Sequence, residues 1–225
     1  MDKHFLSPLF TPESIVVLAG KMDDPEGQTL QARALHNALV AQRYTGRLTF
    51  LDTHFSGTLA DLAGAQADLA IIALPPQEIA SALEIAGRLK CRAALVISSG
   101  IDAEQSAELH RIAKRDGIHL LGPNCLGFQR PGLSLNASVA GDLCSKGPLA
   151  LVSQSGALTS SILDWARGNG VGFSTVVSLG PNTAVDLAQV LDFLANDAQT
   201  HRSVVALGGL SGARRVSSCS IFGNS

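Results

Sequence analysis

Positive charge is not in excess in this 225-residue chain: 17 lysines and arginines face 19 aspartates and glutamates, a formal net charge of −2. Without a basic surplus to displace counterions from a phosphate backbone, nucleic-acid binding is not expected. Charged residues are few, 16%, against roughly 25% in ordinary soluble domains. With 46% of the chain hydrophobic, a disordered polypeptide is not expected either. Long apolar runs are missing too. The longest, Leu69 to Leu74, is strand-sized and ends at Pro75 and Pro76, whereas a membrane helix needs roughly 18 residues or more. The start, Met1-Asp2-Lys3-His4-Phe5, has no apolar stretch of the secretory kind. The four cysteines, Cys91, Cys125, Cys144 and Cys219, are widely spaced and form no CxxC pair. Neither a disulfide framework nor a metal site is therefore expected, and reduced thiols in a cytoplasm are the default.

What is present is alternation. Strand-like runs at 14–19, 47–52, 68–74, 92–98 and 118–121 are separated by helix-like stretches at 30–42, 78–89 and 103–114. The near-continuous apolar character of 68–74 suits a strand buried on both faces. This pattern predicts an α/β fold with a doubly wound, Rossmann-like parallel sheet over 8–128. Right-handed crossovers gather the loops of such a sheet at its carboxyl edge, where ligands bind. Residues 128–147 carry Pro131, Gly132, Gly141 and Gly147 and read as a loop-like connection, 129–147, between domains. Alternation resumes with strands at 148–152, 173–179 and 203–207 and helices at 155–167 and 185–195. The expectation is an incomplete second domain over 148–210, followed by an irregular tail, 211–225, and hence a fragment or a truncated product.

Five loops could carry chemistry. The first, Ala19-Gly20-Lys21-Met22-Asp23-Asp24-Pro25-Glu26-Gly27, lacks the GxGxxG spacing of a nicotinamide site. Lys21 could face a phosphate, but Asp23, Asp24 and Glu26 would oppose one. Asp52 closes the second strand, where a nicotinamide enzyme places its ribose-binding acid. Pro75 and Pro76 leave the third strand as a rigid apolar edge. Ser98-Ser99-Gly100 follows the fourth, small enough for a ligand to come near the backbone. Gly122-Pro123-Asn124-Cys125-Leu126-Gly127 forms a tight turn in which Asn124 can both donate and accept. Cys125 would point from it into the crevice as a possible thiol, although a buried small apolar role explains it equally. Ser153-Gln154-Ser155-Gly156 opens a helix. A serine there is explained by capping alone, and the same geometry makes an anion site. It is neither a GxSxG elbow nor a P-loop.

The segments Leu121 to Gly127, Leu135 to Ser138, Leu151 to Leu158, Ile162 to Ala166 and Gly172 to Ser174 together resemble the CoA-binding half of ADP-forming acyl-CoA synthetases. The succinyl-CoA synthetase α subunit is a more distant relative. The nearest resemblance is to the synthetase-like portion of Pat-type protein lysine acetyltransferases. It implies a Rossmann-like CoA-binding domain followed by a flavodoxin-like domain. It also implies CoA or acyl-CoA as cofactor, with Gly20, Lys21, Pro75, Pro76, Ser99 and Gly100 along the CoA groove. Asn124 and Cys125 would lie near the thiol end. Ser153, Ser155 and Gly156 would form the helix N-terminus that holds a phosphohistidine's phosphoryl group. ATP and ADP would enter only through an ATP-grasp domain or subunit outside this chain, and no catalytic residue is assigned within it. A homo-oligomer stays open.

Departures from the family also matter. Ala19-Gly20-Lys21 replaces the usual Gly-Ala-Ser, Gly208 stands where a glutamate is usual, and Gly180 to Asp186 differs from its counterpart. These motivate an alternative, an acyl-CoA-sensing regulatory module of a Pat-type acetyltransferase. A second alternative is an NAD-dependent oxidoreductase, favoured by the α/β pattern and Asp52 and opposed by the missing fingerprint.

Overall fold

Leu69–Ile72 and Ala93–Val96 are buried at every position, as strands with neighbours on both edges and cover on both faces must be. They are β3 and β4 of a parallel five-stranded sheet in the computed structural model, which describes residues 3–20, 28–51, 66–181 and 183–207. The other strands are β1 (Ser14–Leu18), β2 (Arg47–Leu51) and β5 (His119–Leu121), in the order β2-β1-β3-β4-β5. The helices are α1 (Ser7–Phe10), α2 (Leu30–Val40), α3 (Pro76–Arg88) and α4 (Ala103–Asp116). The expected Rossmann-like α/β sheet is therefore present. Strand order reverses between β1 and β3, the place where doubly wound sheets open a crevice.

The helices begin where side chains can take up orphan amides. Thr29 Oγ1 accepts the Ala32 N–H at 3.0 Å ahead of α2. Asp102 and Gln105 form a reciprocal capping box at α4. Proline at the first position of α3 gives up only an amide the helix could not bond. Each such cap contributes on the order of 1 kcal/mol.

A second sheet follows, in the order β10-β8-β9-β6-β7. Its parallel part is β8 (Lys146–Ser153), β9 (Phe173–Ser178) and β10 (Arg202–Ala206), with α5 (Gly156–Gly168) and α6 (Leu187–Ala195) as crossovers. Its antiparallel part is the hairpin β6 (Gly127–Arg130) and β7 (Leu135–Ser138), joined through β6 to β9. The loop-like connection expected over 128–147 thus contains two strands of the second sheet. Their polar residues are buried, and apart from Arg130 Nε their side-chain polar atoms find partners within the hairpin and beyond it. Gln129 Nε2 donates to Ser138 Oγ at 3.1 Å and to the Asp142 carbonyl at 3.2 Å, and Asn136 Nδ2 donates to the Gly141 carbonyl at 2.9 Å. Arg130 reaches Asp197 at 2.8 Å and Thr175 at 2.6 Å.

Both sheets share one hydrophobic core. A cluster from Ile15, Leu35 and Leu95 continues through Phe128, Val152 and Val190. Phe10 of α1 is its wedge, with ring centroids 5.4 Å from Phe128 and 4.9 Å from Phe193. The opposite face of the first sheet packs on α3 and α4. No helix among the described residues is long and apolar enough to cross a membrane. Lys21, Asp23, Asp24, Glu26, Asp52, Gly208 and the tail 211–225 lie outside the described residues.

Candidate functional site

The turn from Gly122 to Leu126 leaves the carboxyl end of β5 and enters β6 at Gly127. Because β6 is antiparallel to β9 and Gly127 pairs with Ser178 at the end of β9, the turn arrives at the carboxyl edge of the second sheet as well. The two ligand-facing edges therefore meet across it. Hydrogen bonds sew it to both. Asn124 N–H donates to the Ser98 carbonyl at 3.1 Å, and Leu126 N–H donates to Ser178 Oγ at 3.2 Å. Gly122 N–H donates to Thr183 Oγ1 at 3.2 Å. The turn contains a cis Gly122–Pro123 bond and holds Asn124 at φ 57°.

Asn124 makes one hydrogen bond through each polar atom of its side chain. Its Nδ2 donates to the Ile101 carbonyl at 3.0 Å, and its Oδ1 accepts the Ile101 N–H at 3.4 Å. It locks the loop after β4 to the turn after β5, and only its flank remains for a ligand.

Between the edges lies a crevice of about 190 Å³ whose walls include Gln31, Ser99, Asn124, Cys125, Gly156 and Ser178. Ile97, Leu126 and Val139 supply an apolar lining, and Gln154 and Gly180 complete it. Gln31 Nε2, in the first turn of α2, donates to Ser99 Oγ at 2.9 Å and bridges one lip. On the opposite wall α5 begins. Ser155 Oγ accepts the Leu158 N–H at 3.3 Å, which leaves the N–H groups of Gly156 and Ala157 without an acceptor inside the helix. With the helix dipole behind them, they form an electropositive point at the crevice.

Of the residues expected to act, Ser99, Asn124, Cys125 and Gly156 line this one crevice. Ser155 stands behind it as the cap of α5. Pro75, Pro76 and Gly100 lie at the same carboxyl edge of the first sheet, after β3 and β4, and Gly20 lies after β1, but none of these four lines the crevice. Ser153 is fully buried. Its hydroxyl accepts the Ser155 N–H at 3.0 Å and donates to the Ser155 carbonyl at 3.1 Å. It shapes the turn from within and presents nothing to a ligand.

Cys125 is 5% exposed, and its Sγ turns back toward the Val96 carbonyl at 3.5 Å. Burial pushes its thiol up to about 12, so it serves as wall and not as nucleophile. His119 starts β5 at the opposite edge, with its ring 5.2 Å from Phe5, and gives Cys125 no base. Gln31, Gln154, Ser178 and Gly180 were not assigned to a site from the sequence. Gln154 and Gly180 lie within segments singled out there, the loop opening α5 and the stretch from Gly180 to Asp186, and Ser178 sits at a strand's carboxyl end, whereas Gln31 is distant in the chain from any of these motifs.

Comparison with known proteins matches each half separately. Residues 30–131 match the family described as a CoA binding domain, and residues 146–220 match the succinyl-CoA ligase like flavodoxin domain. The ADP-forming acetate–CoA ligase I of Archaeoglobus fulgidus is 38% identical over 154 residues, covering 66% of this chain and 22% of the relative. The α subunit of the ADP-forming acetate–CoA ligase I of Pyrococcus furiosus is 31% identical over 156 residues, 67% of this chain and 34% of that subunit. Among solved structures, the dinucleotide-forming acetyl-coenzyme A synthetase 1 of Candidatus Korarchaeum cryptofilum, in complex with phosphate and ADP, superposes with a TM-score of 0.82 at 25% identity. That match covers 93% of this chain and 47% of the other. The chain thus spans a minor part of the length of these relatives. They bear ligase and synthetase names, and the acetyltransferase side of the expected resemblance has no support among them.

Proposed function

From a chain that joins a CoA-binding domain to a succinyl-CoA ligase-like flavodoxin domain, we infer the CoA-binding portion of an ADP-forming acyl-CoA synthetase. One observation carries the reading. The Gly122–Leu126 turn draws Ser99, Asn124 and the start of α5 onto one crevice, although they are distant in sequence.

The residues present suit a phosphate-bearing thiol carrier. The crevice, about 190 Å³, is smaller than the roughly 300–1,000 Å³ of whole small-molecule sites. It takes the thiol arm, against Ile97, Leu126 and Val139. The nucleotide end extends along the rim past Gly100, Pro75 and Pro76 toward Gly20. Gly156 N–H, on the opposite wall, faces the place where a phosphoryl group or acyl phosphate meets the thiol. Preorganised amides at that point stabilise developing negative charge without having to reorganise. The chain's own contribution is orientation and that electrostatic support. Nucleotide chemistry with ATP and ADP belongs to an ATP-grasp domain or subunit acting with it.

Calorimetry with CoA and with NAD tests the reading. Saturable binding of CoA and no binding of NAD is the expected result. Binding of NAD without CoA would overturn it in favour of an oxidoreductase.

A further inference from the structure

A groove of about 470 Å³ lies at the amino edge of the first sheet, opposite the crevice. Its lining includes Glu13, Ser14, Arg47, Asp68, Lys90 and Arg92. We propose that this amino edge is a second binding site, separate from the CoA crevice, for a small anion carrying phosphoryl groups.

Register places the charges. Ser14 pairs with Arg47, and the pairings of Ile15 with Leu69 and Leu69 with Ala93 put Ser14, Asp68 and Arg92 in the same row one residue earlier. Arg47, Ser14, Asp68 and Arg92 therefore cross the sheet as one line. Three strand spacings separate its ends, about 14 Å. An arginine stands at each end and a carboxylate lies between them.

That carboxylate is already committed. Asp68 accepts the Glu13 N–H at 2.9 Å, the Ser14 N–H at 3.3 Å and Arg92 Nη2 at 3.2 Å. Burial raises its pKa, but these donors outweigh burial and the net shift is downward. It stays ionised, and its charge is offset within the floor. Glu13 is held by Lys3 at 2.6 Å. Lys90 also lowers the pKa of Asp116, but that carboxylate is forked onto Arg115 at 2.8 and 2.9 Å. Arg47 and Lys90 form no ion pair among the described residues. Arg47 and Lys90 thus add positive charge to a groove whose carboxylates are already paired among the described residues, and the groove attracts anions.

Lys90 adds a geometric point. It follows α3 at φ 59°, the left-handed position that ends a helix and that glycine usually takes. The close at that position is complete, since Lys90 N–H donates to the Gly87 carbonyl at 3.1 Å and Cys91 N–H donates to the Ala86 carbonyl at 3.0 Å. A lysine there lines the groove on a backbone that is unfavoured for any residue but glycine.

The test is calorimetric titration of the whole chain with inorganic pyrophosphate at constant ionic strength. Expected is saturable binding that falls at least tenfold in Arg47→Ala/Lys90→Ala, while CoA affinity and Tm of that variant stay at wild-type values. Three results would overturn the proposal: no saturable binding to wild type, binding undiminished in the double variant, or equal displacement by sulfate at the same ionic strength. Loss of CoA binding in the double variant would also overturn it, because the two sites would then be one. Failure of wild type to bind CoA bears only on the crevice.

Discussion

The backbone of Gly180 passes Asn124 so closely that a Cβ on Gly180 would stand 2.7 Å from the Asn124 carbonyl oxygen. The loop after β9 and the turn after β5 are thereby pressed together at the floor of the crevice, and Gly180 adopts φ +69° to do so. Gly180→Ala meets both a steric and a conformational penalty. The left-handed backbone alone costs about 1–2 kcal/mol. Urea denaturation should show a loss of at least that size, with CoA affinity falling in parallel because the Asn124 turn is displaced. Unchanged stability and affinity would show that the two loops can separate freely.

At Ser155, capping and ligand attraction can be separated. Ser155→Ala removes the acceptor for Leu158 N–H and should cost about 1 kcal/mol. Ser155→Asp keeps a good cap, so stability stays within about 0.5 kcal/mol of wild type, since the two residues rank alike as caps. Its carboxylate, however, occupies the electropositive start of α5 and repels a phosphoryl group. Affinity for acetyl phosphate should fall tenfold or more in Ser155→Asp and less in Ser155→Ala, while CoA, whose phosphates lie along the other rim, binds both variants nearly alike. The reverse ranking in calorimetry would remove α5 from the site.

Arg130 and Asp197 carry a pH prediction. Arg130 is 1% exposed and Asp197 10%. Burial raises the Asp197 pKa, but the Arg130 bond and charge more than offset it and hold the carboxyl below its ordinary value. A lowered folded-state pKa contributes stability that is present above the unfolded value and lost as pH falls through the folded one. Arg130→Met leaves a buried carboxylate without its partner, a loss of about 3–5 kcal/mol near neutral pH. Burial is then opposed only by the Thr200 hydroxyl, which donates to the carboxylate at 2.9 Å, and the Gln199 amide, so the Asp197 pKa rises, and acidification protonates it and relieves the penalty. Urea midpoints should differ most at pH 7 and converge toward pH 4. A gap independent of pH would mean that the loss is one of packing.

The thiols offer a chemical check on burial. Burial pushes Cys91 and Cys125 up to about 12 and Cys144 to about 11, so none is a reactive thiolate at pH 8. In native protein treated with iodoacetamide at pH 8, mass spectrometry should find Cys91 and Cys125 unmodified and Cys144 ahead of both. All three should react in urea. Rapid native labelling of Cys125 would mean an open, nucleophilic thiol and would restore the role that its place in the turn suggested.

The strands of the first sheet were legible because 14–18, 69–72 and 93–96 are short apolar runs between helical stretches. A parallel strand buried on both faces has few other compositions open to it. The hairpin at 127–138 was not legible. Gln129, Arg130, Asn136 and Ser138 are buried, and their partners include Thr175 and Asp197, far along the chain. Polar residues around Pro131-Gly132 look like a loop until those partners are known. Ser153 and Cys125 show the same gap at the site, since the sequence placed both in the right turns but the thiol expected to point into the crevice turns back toward the Val96 carbonyl and Ser153 is fully buried.

By itself, the chain determined the order of its parallel strands and their crossover helices, the glycine-rich turn at 122–127 and the serine cap of α5, because these depend on local backbone chemistry and apolar periodicity. Tertiary structure alone decided that the two sheets share a core through Phe10, that their carboxyl edges meet at Asn124, and that the thiol of Cys125 turns inward. Such relations depend on which surfaces pack together, and packing is a property of pairs of elements that no single segment encodes.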